Sequence, residues 1–333
     1  VSDRYRSKFG VELDPDLEVV TTIGAKEGLS HLMWVLLGPG DTALVPSPSY
    51  PIHIYAPLFA GADVRQVPLE GPSARHAPAQ DAGTAPGPGA AFFDELMEAW
   101  ESTWPKPRVI VLSFPHNPTT ACVDLSFMQR LVAFAHEHDV VLVHDFAYAD
   151  IAFDGYKPPS ILQVPGAKDV AVELYTLTKS FSMAGWRVGF LLGNAEIVQA
   201  LTKLKSYLDY GTFQPIQIAA IVALNEVPDY PEQINEVYQA RRNALCDGLN
   251  RIGWSVVPPR GTMFVWAAIP EPYREMGSLE FAKFLVRDAG VASSPGIGFG
   301  PGGDGHVRFA LIENEKRIGQ AIRNLKRALT KLG

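Results

Sequence analysis

Short runs of Val, Ile and Leu alternate with stretches of helical period over much of the chain. The strand-like runs fall at 42–46, 63–67, 108–113, 140–144, 172–177 and 187–193. Apolar residues at helical spacing occupy 26–37, 52–60, 92–103, 125–138 and 195–207 between and after them. Strands that are apolar at nearly every position are those buried on both faces, and strands separated by helices pair in parallel. The pattern therefore predicts an α/β fold with a mostly parallel central sheet and helices on both faces. From about Phe213 the sequence turns helix-rich, with a long pattern over 231–252. Strand-like runs near 254–257, 263–268 and 306–311, with helical patterns at 278–289 and 313–332, close the chain as a smaller C-terminal α+β domain. The resulting division is 1–17 as the remnant of an N-terminal region, 18–232 as a large domain and 233–333 as a small domain. Residues 71–91 are rich in Ala, Pro and Gly without apolar periodicity, and read as an exposed, mobile loop.

Composition narrows the functional classes. The 333 residues carry 29 Lys and Arg against 36 Asp and Glu, a formal charge of −7, which argues against a nucleic-acid partner. No apolar run reaches the length of a membrane span, so no membrane partner is expected. Two cysteines, Cys122 and Cys246, are too few for a disulfide framework and suit a reducing cytoplasm. The stretch Gly296-Ile-Gly-Phe-Gly300 has the wrong spacing for a dinucleotide loop and leads into a strand. His136-Glu-His138 puts its histidines on different sides of a helix end, so no metal site is expected.

The candidate chemistry centres on Lys179, in Thr176-Leu-Thr-Lys-Ser-Phe-Ser-Met-Ala-Gly-Trp-Arg187. A lysine among apolar and hydroxyl side chains can lose its proton and become a nucleophile, and the nearby hydroxyls and Arg187 suit a phosphate. Asp145 ends an apolar strand, where ligands collect in parallel sheets, and Tyr148 follows it. As residue types, Asp145 reads equally as a helix cap or as a partner for a protonated ring nitrogen. Asn117 precedes a proline and reads as a turn residue or as a hydrogen-bond donor to a phenolic oxygen, a task Tyr148 could share. Gly24-Ala25-Lys26 opens a helical run, a place where free backbone N–H groups bind phosphate. Tyr50 follows a strand and reads as a packed residue or a stacking platform. Arg308 lies within an apolar strand and reads as a structural ion pair or as a clamp on a carboxylate.

In this order, Asn117-Pro118-Thr119, Asp145-Phe-Ala-Tyr148, the Thr178 to Arg187 segment and Val307-Arg-Phe-Ala310 resemble the class I/II aminotransferases of pyridoxal-phosphate fold type I. Within the class, His144-Asp-Phe-Ala-Tyr-Ala-Asp-Ile151 and Ser294-Pro-Gly-Ile-Gly-Phe-Gly300 are most similar to bacterial alanine (glutamate–pyruvate) aminotransferases. The resemblance implies pyridoxal 5'-phosphate as cofactor. Lys179 is implied as the Schiff-base and proton-transfer residue, Asp145 as the partner of the ring nitrogen, and Asn117 and Tyr148 as partners of the ring oxygen. Tyr50 is implied to stack on the ring. Arg187, Thr176, Thr178 and the Gly24-Ala25-Lys26 turn are implied to hold the phosphate, and Arg308, with Asn117, the substrate carboxylate. The implied reaction is ping-pong amino transfer between L-alanine/pyruvate and L-glutamate/2-oxoglutarate. Aspartate or diaminopimelate as substrate, a β-lyase, or a cofactor-binding regulatory module are the other readings. The implied assembly is a homodimer with shared active sites, Tyr210 to Thr212 reaching the partner. Two departures are expected: a longer 71–91 loop, and no counterpart of the family's N-terminal portion.

Overall fold

The computed structural model describes residues 1–69 and 88–330. A seven-stranded sheet is built from β1 (Val19–Thr22), β2 (Thr42–Ser47), β3 (Asp63–Pro68), β4 (Val109–Leu112), β5 (Val141–Asp145), β6 (Ala171–Thr176) and β7 (Gly189–Gly193), in the order β1-β7-β6-β5-β4-β2-β3. From β6 to β3 every pairing is parallel, and β7 alone runs against its neighbours β6 and β1. Successive residues of one strand enter different cores, as the pleat requires: Ile110 and Leu112 belong to one cluster, Val109 and Val111 to another. The helices Pro88–Ser102 and Leu125–His138 cover the first face, and Gly24–Leu36 and Ala195–Leu208 the second.

A separate antiparallel sheet has β10 (His306–Ala310) between β8 (Phe264–Ala268) and β9 (Ser294–Pro295), with Arg308 opposite Trp266 and Ser294. It packs on the helices Tyr230–Arg251, Gly277–Phe284 and Glu315–Ala328 around Trp254, Phe281 and Phe309. The boundary placed at 232/233 falls inside Tyr230–Arg251. Among the described residues no helix is long and apolar enough to cross a membrane.

Three expectations need correction. Residues 254–257 form no strand, although Trp254 and Val256 are buried. The Asn250 side chain holds both polar groups of the Val256 backbone at 2.8 and 3.1 Å, and Pro258-Pro259 follows with no N–H for a ladder. Of the loop expected at 71–91, residues 71–87 lie outside the described residues. Residues 88–91 instead open the helix Pro88–Ser102, where proline suits a first turn that needs no N–H. The last helix ends at Ala328 rather than running on to 332, and Asn314 caps its start by accepting from the Arg317 N–H at 3.1 Å. The four-residue β1, which among the described residues pairs only with β7, was too short to register as a strand in the sequence.

Candidate active site

The carboxyl ends of β1, β2, β4, β5 and β6 lie along one edge of the large sheet, and the antiparallel β7 starts there. The chain leaves these ends through Gly24, Tyr50, Asn117, Tyr148 and Lys179, and Arg187 leads into β7. Together with β8 and β10 they enclose a cavity of about 570 Å³, the size of a small-ligand site. Every site residue expected from the sequence lines this cavity except Gly24, which sits behind Arg187.

At one end is an anion cradle. Gly24 begins the helix Gly24–Leu36 with φ +73°, and a Cβ there would come within 2.4 Å of Arg187 Nη2. Arg187 itself has φ +56°, an unusual conformation for a non-glycine residue. Its Nη1 donates to the Ala184 carbonyl at 3.0 Å, and no carboxylate among the described residues is within ion-pair distance. Glu27 accepts from the Ile23 N–H at 2.6 Å, and the first-turn N–H groups of Ala25 and Lys26, which have no intrahelical acceptor, lie at the positive end of the helix dipole. Thr176 gives its hydroxyl hydrogen to the Val188 carbonyl at 2.8 Å and caps the turn Leu177–Ser180 through the Thr178 N–H at 3.2 Å. Thr178 Oγ1 lies 2.9 Å from Thr176 Oγ1, so the two hydroxyls are joined by a hydrogen bond beside the cradle.

Lys179 stands on that turn. Burial and the positive charge of Arg308 push its amine below the ordinary lysine range, with Arg187 adding to the effect and Asp145 opposing it. Asp145 is buried; its Oδ2 meets His53 Nε2 at 2.8 Å, and His53 Nδ1 meets Ser49 Oγ at 2.9 Å. Its Oδ1 is also buried but has no hydrogen-bond partner among the described residues. Burial raises the Tyr148 phenol, which keeps it a neutral donor.

At the other end, Arg308 Nη1 donates to Asn117 Oδ1 at 2.5 Å, and Nη2 to Ser294 Oγ at 3.3 Å. That bond orients the Asn117 amide, leaving its Nδ2 hydrogens for another acceptor. No carboxylate of the described residues neutralises Arg308. The structural ion pair that an apolar strand would favour is therefore not what holds this arginine.

His53 and Ser49 were not singled out in the sequence. The available signal was helical spacing: His53 lies three residues beyond Tyr50, in the first turn of the helix Pro51–Phe59. Phe264 and Phe299, which flank Arg308, were not among the expected site residues, although Phe299 lies in the Ser294–Gly300 stretch that carries the resemblance.

Residues 2–325 match the aminotransferase class I and II family. The chain is 54% identical to the glutamate-pyruvate aminotransferase AlaC of Escherichia coli over 98% of its length and 75% of that protein's. It is 40% identical to an LL-diaminopimelate aminotransferase of Desulforudis audaxviator, over 99% of this chain and 79% of that one. The substrate-bound BacF structure from Bacillus subtilis superposes with a TM-score of 0.86 at 33% identity, covering 98% of this chain and 78% of that one. The chain belongs to the class I and II aminotransferases, pyridoxal-phosphate-dependent enzymes of fold type I.

Proposed function

We propose that this cavity transfers an amino group between L-alanine/pyruvate and L-glutamate/2-oxoglutarate. One observation carries the reading: a half-buried lysine with a depressed pKa stands between a carboxylate with an unpartnered oxygen and two guanidinium groups without carboxylate partners. The similarity to a glutamate-pyruvate aminotransferase supports the substrate pair.

The residues fit the cofactor. Asp145 Oδ1 is a buried acceptor in need of a donor, which a protonated ring nitrogen supplies. The Gly24 turn, Thr178 and Arg187 form a cationic cradle for the phosphate. Tyr50 offers a face to the ring, while Asn117 Nδ2 and the Tyr148 hydroxyl offer donors to its oxygen. Bound there, pyridoxal phosphate supplies an electron sink for the pair left when the substrate Cα loses its proton. Lys179 holds the cofactor. Its free Nζ would take the Cα proton as a neutral base and, as an ammonium, would deliver a proton to an atom other than Cα, so that Cα is left at the oxo-acid level. Arg308 binds the α-carboxylate in its fork and so fixes which face of Cα meets Lys179.

Glutamate brings a second carboxylate. Lys26 lines the cavity with its Nζ 5.3 Å from the Tyr50 ring centroid and has no carboxylate partner among the described residues. We assign the distal carboxylate to this ammonium, while alanine needs no such partner. We further read the enzyme as a cytoplasmic homodimer. The two buried free thiols are consistent with a reducing compartment, and an uncovered apolar helix is consistent with self-association.

The test is direct. The full chain, loaded with cofactor, is mixed with L-alanine and 2-oxoglutarate, and pyruvate and glutamate are measured. Both should form in equal amounts. Lys179→Ala should form neither while still binding the cofactor noncovalently. A loaded wild type that yields no pyruvate rejects the substrate assignment.

A further inference from the structure

Arg308 is held in an unusual way. Its guanidinium carbon lies 3.9 Å from the Phe264 ring centroid and 4.5 Å from that of Phe299. A planar cation with an aromatic ring on each side has its faces covered and only its edge open to hydrogen bonds. Two edge nitrogens reach neutral acceptors, Asn117 and Ser294, and the buried Nε has no partner among the described residues. The charge is thus desolvated, aimed and not neutralised.

Phe264 belongs to the neighbouring strand β8. Phe299 comes from the glycine-rich stretch that fails as a dinucleotide loop, and the structure gives that stretch another task. Gly296 to Gly303 folds back so tightly that a Cβ on Gly296 would lie 1.8 Å from the Gly303 carbonyl oxygen. A Cβ on Gly302 would meet Ser47 Oγ, at the end of β2, at 2.7 Å. The Phe299 carbonyl accepts from the Ser49 N–H at 2.8 Å, and the ring meets Trp266 edge-on at 6.0 Å. The segment therefore clasps the large sheet beside Tyr50 through its backbone and covers Arg308 with its side chain. Ser49, which takes the Phe299 carbonyl, also bonds the histidine that holds Asp145.

We propose that Phe299 is a positioning residue for the substrate carboxylate. With Phe264 it fixes the plane of the Arg308 fork, and through Ser49 it ties that plane to the wall of the cofactor cavity. The inference rests on the reading of Arg308 as the carboxylate site and adds which residue makes that site rigid. Any substrate with an α-carboxylate uses this fork, so the effect is common to amino acids and oxo acids alike.

The experiment compares Phe299→Leu and Phe299→Met, which remove the aromatic face, with Phe299→Tyr, which keeps it. Propionate, a carboxylate with no amino group to transfer, is titrated by calorimetry into each cofactor-loaded full chain. The aliphatic variants should bind it about tenfold more weakly, and the tyrosine variant within about twofold of wild type. In turnover, the aliphatic variants should raise KM for L-alanine and for 2-oxoglutarate by that same factor, with kcat changed less than about twofold. A general packing defect would instead lower kcat and cofactor loading together and would not be rescued by tyrosine. Two aliphatic variants are used so that one that fails to fold does not end the test. Equal propionate binding by the aliphatic and tyrosine variants, or a loaded wild type that binds no propionate, overturns the proposal. If the expected propionate pattern appears in a protein that transfers no amino group from alanine, the Phe299 inference is supported and the substrate reading rejected.

Discussion

Four cationic side chains, Lys26, Lys179, Arg187 and Arg308, share the cavity with the carboxylate of Asp145, and their surroundings give each a different capability. Lys179 is a compact ammonium whose charge burial can remove, and the nearby arginines help remove it. Arg187 and Arg308 cannot lose theirs, so a site without matching carboxylates leaves both charges for anionic groups of a ligand. Asp145 is oriented by His53, itself bonded to Ser49, and His53 occupies one oxygen and leaves the other to the cavity. Lys26 differs again, since its Nζ lies near an aromatic face in a cleft with room beside it. This difference predicts a selective defect. Lys26→Met should raise KM for L-glutamate and 2-oxoglutarate about tenfold, as expected for a charge-assisted hydrogen bond, and leave KM for L-alanine within about twofold. Steady-state kinetics in both directions would show it. An equal rise for alanine would place Lys26 in general binding and not on the distal carboxylate.

At the level of elements, the short helix Ser2–Phe9 pins the catalytic strands from behind. Arg4 and Lys8 both pair with the buried Asp150, Arg4 at 2.7 Å, and Tyr175 donates to the same carboxylate at 2.7 Å. Tyr5 donates to buried Glu173 at 2.6 Å, and Glu173 also meets His144 at 2.8 Å. Burial alone would raise the Asp150 pKa, but Lys8 and Arg4 more than offset it and hold the carboxyl below its usual range. A carboxyl with a depressed folded-state pKa contributes stability that is fully present above its unfolded pKa, about 3.9, and is lost as pH falls through the folded value. Asp150→Asn should therefore cost roughly 3 kcal/mol at pH 7, with the gap from wild type closing as pH drops below about 4. Urea unfolding from pH 7 to pH 3 measures the gap, and one that stays constant would remove Asp150 from the ion-pair role. The large-sheet strands from β2 to β7 and the helices around them were legible because each carries a periodic apolar face that must be buried. Strand β1 was not, because four residues between Glu18 and Ile23 leave little period to see. The 254–257 run shows the converse error: its alternation is real, but a side chain and two prolines, not a neighbouring strand, answer its backbone. Residues such as Lys179, Asp145, Asn117 and Arg308 stood out because local sequence marks them. His53 and Phe299 act through contacts 92 residues apart in one case and with a neighbouring segment of the small sheet in the other, and such contacts exist only once the chain has folded.

For the whole molecule, the uneven covering of apolar surface is the informative feature. The helix Gln214–Glu226 buries only Ala220 and Ala223, while Ile218, Ile221 and Val222 stay exposed. Tyr207, Leu208, Tyr210 and Phe213 continue the apolar surface along the preceding turn, with Tyr210 93% exposed. Soluble monomers rarely leave so continuous an apolar stretch uncovered unless another chain covers it. The stretch begins at the end of the helix Ala195–Leu208, whose Lys205 pairs with Glu27 at 3.0 Å in the first turn of the helix Gly24–Leu36, so its order is coupled to the anion cradle. Covering it with a second copy would therefore stabilise the cradle as well as the fold. We expect the wild type to sediment at twice the chain mass at micromolar concentration. Placing charges on the stretch, as in an Ile218→Glu and Ile221→Glu double variant, should yield the single-chain mass and lower cofactor affinity at least about tenfold, because a like-charged desolvated pair at such an interface costs several kcal/mol. Analytical ultracentrifugation and a cofactor titration on the same samples make the test. A double variant that stays dimeric, or becomes monomeric with unchanged cofactor affinity, would reject the expected link between the exposed helix, a second copy and the cradle.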